Sequence, residues 1–196
     1  EKAKEITGSQ FDYQSSYTEL LSRRLNGEPL QYIEEYVPFY SIQINVDQRC
    51  LIPRPETEYM IEIIKNNISA PKKILDVGTG SGCIALMMKK LFPDSEVHAV
   101  DISNDAITLA KENAEINNLE VNFYQSDLLT KVEKLDFDLI VANLPYIPTS
   151  NLPTLQKEVI DYEPLIALDG GEDGLLYINK LLDLSLIHIS EPTRQH

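Results

Sequence analysis

Two short stretches carry the residue types from which a chemical site could be assembled. The first runs Asp76-Val77-Gly78-Thr79-Gly80-Ser81-Gly82. Glycines at alternate positions let a chain turn tightly and approach a ligand without a Cβ in the way. A helix that starts at the end of such a loop points its unpaired N–H groups at that ligand. The second stretch is Asn143-Leu144-Pro145-Tyr146. A planar amino nitrogen, in an amide or an adenine, has its lone pair held in π-conjugation and is a poor nucleophile. Two acceptors gripping its two N–H bonds orient it and return electron density to it. The Asn143 side-chain carbonyl and the main-chain carbonyl at Leu144 or Pro145 can be those acceptors. Pro145 removes a competing donor and stiffens the turn, and Tyr146 offers a face for stacking on a flat group.

Spacing narrows the ligand of the first stretch. A dinucleotide fingerprint, G-x-G-x-x-G, needs a glycine where Cys83 stands. The G-x-G-x-G pattern after Asp76 instead resembles the first motif of S-adenosylmethionine-dependent methyltransferases, which places Asp76, Gly78, Thr79, Gly80, Ser81 and Gly82 around the methyl donor. Asp101 follows about twenty residues on, the place of an acid that accepts ribose hydroxyls. Its competing use is to cap the next helix, a job for which Ser103 also stands ready. Asp127 could accept from the adenine amino group or be an ordinary turn aspartate, and Leu128 beside it supplies an apolar wall for the base. Methyl transfer to the held nitrogen needs no strong base, because the proton turns acidic only once the methyl is attached. Alignment of nucleophile and sulfonium alone can supply roughly 7–11 kcal/mol of the barrier.

These residues fall at the ends of regular elements. From Lys73 the chain alternates KILDVG, CIALMMKKLF, EVHAVD, NDAITLAKENAEIN, VNFYQSD and FDLIVAN. Strand and helix periods follow one another through short turns, which predicts an α/β fold with a parallel sheet between helices. Ligands of such sheets collect outside the carboxyl ends of the strands. Upstream, YTELLSRRLNG predicts a short helix with Leu20, Leu21 and Leu25 on one face and a stop at Gly27. Tyr40, Ile42, Ile44 and Val46 read as a strand, paired with YIEEYV in a hairpin across Pro38. Pro53 and Pro55 break that pattern. A helix is expected from about Glu56, with Met60, Ile61, Ile64 and Ile68 on its apolar face.

Bulk properties limit the partners. The chain has 31 acidic and 17 basic residues, a formal charge of −14, so broad binding to phosphate backbones is not expected. The acidity keeps the chain soluble or steers it toward a basic patch on another protein. Hydrophobic residues make up 43%, enough for a core, and no apolar run is long enough to span a bilayer. Cys50 and Cys83 stand apart, and His98, His188 and His196 do not cluster, so neither a disulfide framework nor a metal site is expected. His98 reads as structural within its strand. No signal peptide is visible, which fits the cytoplasm.

Four segments together, LIPRPETE (51–58), DVGTGSG, NLPY and YEPLIALDGGEDGL (162–175), resemble the peptide chain release factor glutamine methyltransferases. The resemblance runs from about Arg23 to Leu182. It implies a class I S-adenosylmethionine-dependent methyltransferase fold, S-adenosylmethionine as donor and no metal. The implied partner is a release factor, methylated on the glutamine of its Gly-Gly-Gln tip. It further implies donor contacts at Gly78 to Gly82, Asp101, Leu128 and Asn143, and glutamine contacts at Asn143, Leu144, Pro145 and Tyr146. Arg54 and Glu56, with Pro55, would wall the site near donor and glutamine, or else brace the hairpin against the sheet.

The chain departs from that family in three ways. Leu144 stands where the family more often has proline, a form familiar from ribosomal-RNA dimethyladenosine enzymes. Residues 1–52 read as a remnant of an N-terminal helical domain plus the linking hairpin, with Glu1 in place of an initiator methionine. Residues 53–184 read as an incomplete methyltransferase domain, and 185–196 as a non-native tail. Truncation at both ends predicts an exposed sheet edge and weakened donor binding. Three other functions fit some of the same features. One is methylation of a glutamine in a large-subunit ribosomal protein. Another is adenine-N6 methylation of nucleic acid, which the acidic composition disfavours. The third is donor binding without catalysis.

Overall fold

In the computed structural model, which describes residues 13–132 and 136–187, the chain opens with helix α1 (Tyr13–Leu25). Gly27 follows at φ +94°, a conformation that suits the residue past a helix end. Leu20, Leu21 and Leu25 are exposed. The Arg23 guanidinium grips both oxygens of Glu28, at 2.8 and 2.6 Å, and so fixes the exit of the helix.

The expected hairpin forms with a shorter first strand. Leu30–Glu34 is helix α2, starting after Pro29 and stopping at Glu35, where φ is +65°. Only Tyr36–Phe39 is strand β1, and it pairs antiparallel with β2 (Ile42–Asn45). Phe39 faces Ile42, so the turn is Tyr40-Ser41 and not Pro38, which sits inside β1 opposite Gln43. A two-stranded ribbon is all edge, and there proline's missing N–H costs no ladder bond. Tyr40 takes φ +53°, as a tight hairpin turn requires, and leaves the face on which Ile42, Ile44 and Val46 are buried.

Helix α3 (Pro55–Asn67) begins with proline at its first position, where the fixed φ suits a helix start and the missing N–H would be unpaired anyway. Glu56 and Glu58 lie in its first turn, next to the positive end of the helix dipole. Ile61 and Ile64 are buried and Met60 packs beside them, whereas Ile68 lies past the helix end and is exposed.

Then come β3 (Lys73–Val77), α4 (Cys83–Leu91), β4 (Glu96–Asp101), α5 (Asn104–Asn117), β5 (Asn122–Gln125) and β6 (Leu139–Ala142). The four strands make a parallel sheet in the order β5-β4-β3-β6. The chain therefore reverses its direction of travel across the sheet at β3, the position where open parallel sheets form a crevice. Val77 is level with both Val100 and Ala142, which brings the loops after β3, β4 and β6 to one rim. Alternate residues of β3 feed two cores. Ile74 joins the hairpin and α4 on one face, and Leu75 and Val77 join Leu128, Leu144 and Leu181 on the other.

After β6 come a 3-10 turn (Thr149–Thr154), helix α6 (Lys157–Tyr162), a second 3-10 turn (Leu165–Ala167) and helix α7 (Leu176–Ile187). α7 carries Leu181 onto the second core and runs unbroken past Ser185, where the tail was expected to start. The rest of that tail, and residues 1–12, lie outside the described residues.

Candidate functional site

The loop after β3 is pinned along its length. Gly78 and Thr79 donate their N–H groups to the Val100 carbonyl at 2.9 and 3.0 Å, and Gly80 N–H donates to Asp101 Oδ2 at 2.8 Å. Gly82 has φ +84°, and a Cβ there would meet the Ala110 Cβ at 3.1 Å, so this glycine lets the loop lie against α5. It does not line the pocket, whereas Gly78, Thr79, Gly80 and Ser81 do. Asn113 of α5, which sequence reading did not single out, is fully buried and ties the loop to the hairpin. Its amide donates to the carbonyls of Ser81 (2.9 Å) and Asn45 (3.0 Å), and its oxygen accepts from Asn45 N–H (2.8 Å).

Asp76 was expected among the donor contacts. It lies one layer behind them, fully buried in β3 and off the pocket wall. Thr79 Oγ1 donates to its Oδ2 at 2.6 Å and Ala85 N–H does so at 3.1 Å, while Oδ1 has no partner among the described residues. Burial pushes this carboxyl up to about 7 against the pull of those two bonds. Asp76 thus joins the loop to the first turn of α4, where a spare acceptor is costly to bury.

Asp101 stands on the pocket wall. Its Oδ1 accepts from Ser103 N–H at 2.9 Å, and the cap of α5 falls to Ser103, which accepts from Ala106 N–H at 3.2 Å. A carboxylate has about four acceptor sites, so these bonds leave Asp101 acceptor capacity toward a ligand. Burial holds the carboxyl above its ordinary range, opposed by the N–H bonds from Ser103, Gly80 and Ile102. Asp127, exposed, and Leu128, buried at φ +46°, complete this end of the pocket. Ser126 ties their turn by donating to the Leu128 carbonyl at 2.9 Å and accepting from Lys131 N–H at 3.1 Å.

At the other end, Asn143 and Leu144 belong both to this pocket and to an adjoining cleft of about 480 Å³. Pro145 faces the pocket, and Tyr146, 63% exposed, faces the cleft. The Asn143–Tyr146 turn also rests on the glycine loop, since a Cβ at Gly78 would come 3.1 Å from Leu144 Cδ2.

The support of this turn is supplied by the segment 168–174. Ile147 N–H donates to the Leu168 carbonyl (3.1 Å), Gly170 N–H to the Ile147 carbonyl (2.8 Å) and Thr149 N–H to the Gly171 carbonyl (2.8 Å). Gly174 passes the Tyr146 carbonyl too closely to admit any side chain.

Arg54 lies on the wall shared by pocket and cleft, and Glu56 on the cleft alone. Glu163, also missed from sequence, is a buried residue of the same cleft wall. Its Oε1 pairs with Arg54 Nη2 at 2.5 Å, and its Oε2 accepts from Ile52 N–H at 3.1 Å. The only signal for it was its place in YEPLIALDGGEDGL. Cys50 and Cys83 also line the pocket, and burial pushes the Cys83 thiol up to about 12, which leaves it protonated and unreactive. Among the described residues no group of three His, Cys, Asp or Glu side chains could hold a metal ion, and no helix is long and apolar enough to cross a membrane.

A parallel sheet with a glycine loop, an acid at the end of the next strand and an Asn-x-Pro-Tyr turn on one rim has the architecture of a class I methyltransferase. The chain belongs to the methyltransferase small domain family, whose model matches residues 55–162. Among curated relatives, the release factor glutamine methyltransferase of Lactococcus lactis subsp. lactis (strain IL1403) is 43% identical over 175 residues, covering 89% of this chain and 64% of the relative. That of Koribacter versatilis (strain Ellin345) is 44% identical over 175 residues, covering 87% and 62%. The chain thus spans less than two thirds of the length of these relatives. Among solved structures, a methyltransferase from Pyrococcus furiosus matches with a TM-score of 0.57 at 23% identity, over 86% of this chain and 72% of that one. The hMettl16 catalytic domain in complex with MAT2A 3'UTR hairpin 1 has the same TM-score at 14% identity, over 90% and 74%. At these identities the two structures speak for the fold, and the resemblance read from the four sequence segments agrees with the curated relatives.

Proposed function

We propose that this protein transfers a methyl group from S-adenosylmethionine to the side-chain amide nitrogen of the glutamine in the Gly-Gly-Gln tip of a peptide chain release factor. The observation that carries this reading is the position of Asn143. It stands on the wall common to the pocket at the glycine loop and a separate cleft, in a chain 43% identical to a release factor glutamine methyltransferase.

The residues present fit the donor. Asp101 has spare acceptor capacity for the ribose, Asp127 and Leu128 flank the place for adenine, and the backbone of Gly78 to Gly80 leaves room beside it. When bound, the donor supplies an electrophilic methyl on a sulfonium. The glutamine amide enters from the cleft and gives one N–H to the Asn143 side-chain carbonyl. Its second acceptor is the Leu144 carbonyl, because the Pro145 carbonyl faces Gly170, where a Cβ would lie 2.8 Å from it. Tyr146 stacks on the amide plane. The N–CH3 bond forms as the S–CH3 bond breaks, sulfur keeps the electron pair, and the extra amide proton leaves to water. Release factors act in translation, so the reaction belongs to the cytoplasm, with a protein as partner and neither a membrane nor a nucleic acid in direct contact.

The test incubates purified protein with labelled donor and a release factor, followed by mass spectrometry of the Gly-Gly-Gln peptide. Label on that glutamine is expected. Donor binding with label absent from the release factor would reject this substrate, and the same assay on large-subunit ribosomal proteins would then locate the target.

A further inference from the structure

The pocket wall carries two cations, Arg49 and Arg54, and they differ in what they have left to give. The Arg49 fork is committed to two carboxylates. Its Nε lies 3.0 Å from both oxygens of Asp47, Nη1 donates to Glu112 at 3.0 Å, and Nη2 donates to Asp47 at 2.8 Å and to Glu112 at 2.7 Å. Arg54 makes a single bond, from Nη2 to Glu163 Oε1 at 2.5 Å. Its Nε and Nη1 hydrogens have no partner among the described residues. A guanidinium carries five N–H donors in a rigid fork that matches a carboxylate.

The two ends of the pocket are chemically distinct. Asp101, Asp127 and Leu128 form one end, and the wall shared with the cleft, which includes Arg54 and Asn143, forms the other. A donor lying with its nucleoside at the first end and its methyl toward Asn143 brings its amino-acid carboxylate to the second end. We infer that Arg54 takes that carboxylate, and that Glu163 is the positioning residue that holds Arg54 in place. The inference rests on the proposed reading of this pocket as the donor site.

Glu163 is built for the second task. Its side chain is 1% exposed against 35% for Arg54, and it lines the cleft but not the pocket, so Arg54 is the member of the pair that faces the donor. Its other oxygen is held by Ile52 N–H at 3.1 Å, which fixes the carboxylate relative to the segment that carries Arg54. A free arginine would lose side-chain entropy on binding, and one already clamped loses less.

Calorimetry with two probes tests this. S-adenosylhomocysteine carries the amino-acid end, and 5'-methylthioadenosine lacks it. Arg54→Ala should weaken S-adenosylhomocysteine binding about 10- to 100-fold, the loss of a charge-assisted contact. The same change should leave methylthioadenosine binding within about twofold of wild type, since that probe lacks the carboxylate Arg54 would hold. Glu163→Ala should follow Arg54→Ala, Glu163→Gln should recover part of the loss, and the double alanine variant should bind no more weakly than Arg54→Ala alone. Unchanged S-adenosylhomocysteine affinity in Arg54→Ala overturns the assignment while leaving the donor pocket standing. Equal loss of both probes also overturns it, because that marks a collapsed pocket. Wild-type protein that binds neither probe removes the donor-site reading and this inference together. No arm uses a release factor, so an error in the protein substrate cannot be mistaken for an error here.

Discussion

Gly170 and Tyr146 approach so closely that a single added methyl has no room, since a Cβ at Gly170 would stand 2.7 Å from Tyr146 Cα. The backbone of Gly170 is held there by its own N–H bond to the Ile147 carbonyl at 2.8 Å. The loop 168–174 is thus the rigid seat of the Asn143–Tyr146 turn.

Gly170→Ala should therefore displace the turn without touching the far end of the donor pocket. Methyl transfer is expected to fall by about 100-fold, as a misplacement near 1 Å can cost, with stability lower by about 1–3 kcal/mol from overpacking. Steady-state kinetics and urea unfolding on the same variant check both. Full activity would mean that the seat is not needed.

Asn143→Ala removes one of the two acceptors assigned to the glutamine amide. Turnover should drop about 10²–10³-fold, by analogy with the loss of one transition-state hydrogen bond. Donor affinity, measured by calorimetry, should change far less. A variant that turns over like wild type would dispose of the proposed orientation of the amide.

Asp101→Asn replaces one carboxylate oxygen with an amide that must face the Gly80 or Ser103 N–H. Two donors then oppose each other, and the ribose loses a charged acceptor. S-adenosylhomocysteine should bind about 10- to 100-fold more weakly. Equal affinity would show that the ribose is held elsewhere.

Asp76 predicts a pH dependence whose sign is opposite to that of a salt-bridged carboxylate. Burial raises it to about 7 in the folded protein, above the roughly 3.9 of an unfolded chain. Between those values the folded state binds the extra proton, so Asp76 favours folding fully below about pH 4, and this contribution is lost as pH rises through 7. Wild type should therefore lose stability relative to Asp76→Asn on going from pH 5 to pH 8, by on the order of 2–3 kcal/mol. Urea titrations of both proteins at the two pH values measure it, and parallel curves would place the Asp76 pKa near its ordinary value.

Much of this arrangement was legible from local pattern. The alternation after Lys73 is long and strongly periodic, so the strand and helix types emerged from it, and with them the rim that gathers Gly80, Asp101, Asp127 and Asn143. The hairpin was misread where two periods overlap. Residues 32–37 can be written as an alternating strand, yet Leu30–Glu34 turns helical behind Pro29, and Tyr32 is buried with its hydroxyl on the Cys50 carbonyl at 2.6 Å. The contributions of Glu163, Asn113 and the 168–174 loop were not legible because each is a partnership across a long stretch of chain. Glu163 meets Ile52 and Arg54, and Asn113 meets Asn45 and Ser81. Periodicity reports which face a residue occupies and carries no record of which distant backbone group it will meet. Asp76 was read as a ligand contact because it precedes the loop, and its inward direction follows from the strand pleat, with Gly78 the first residue past the sheet.

Asn113 gives the molecule a shared fate for two regions that are far apart along the chain. One carboxamide joins the last residue of β2 to the glycine loop through three bonds. Neither region can peel away without stranding that buried amide, so hairpin and loop should open as one unit. In native-state hydrogen exchange, the Asn45 amide should then report the openings of the glycine loop from more than thirty residues upstream.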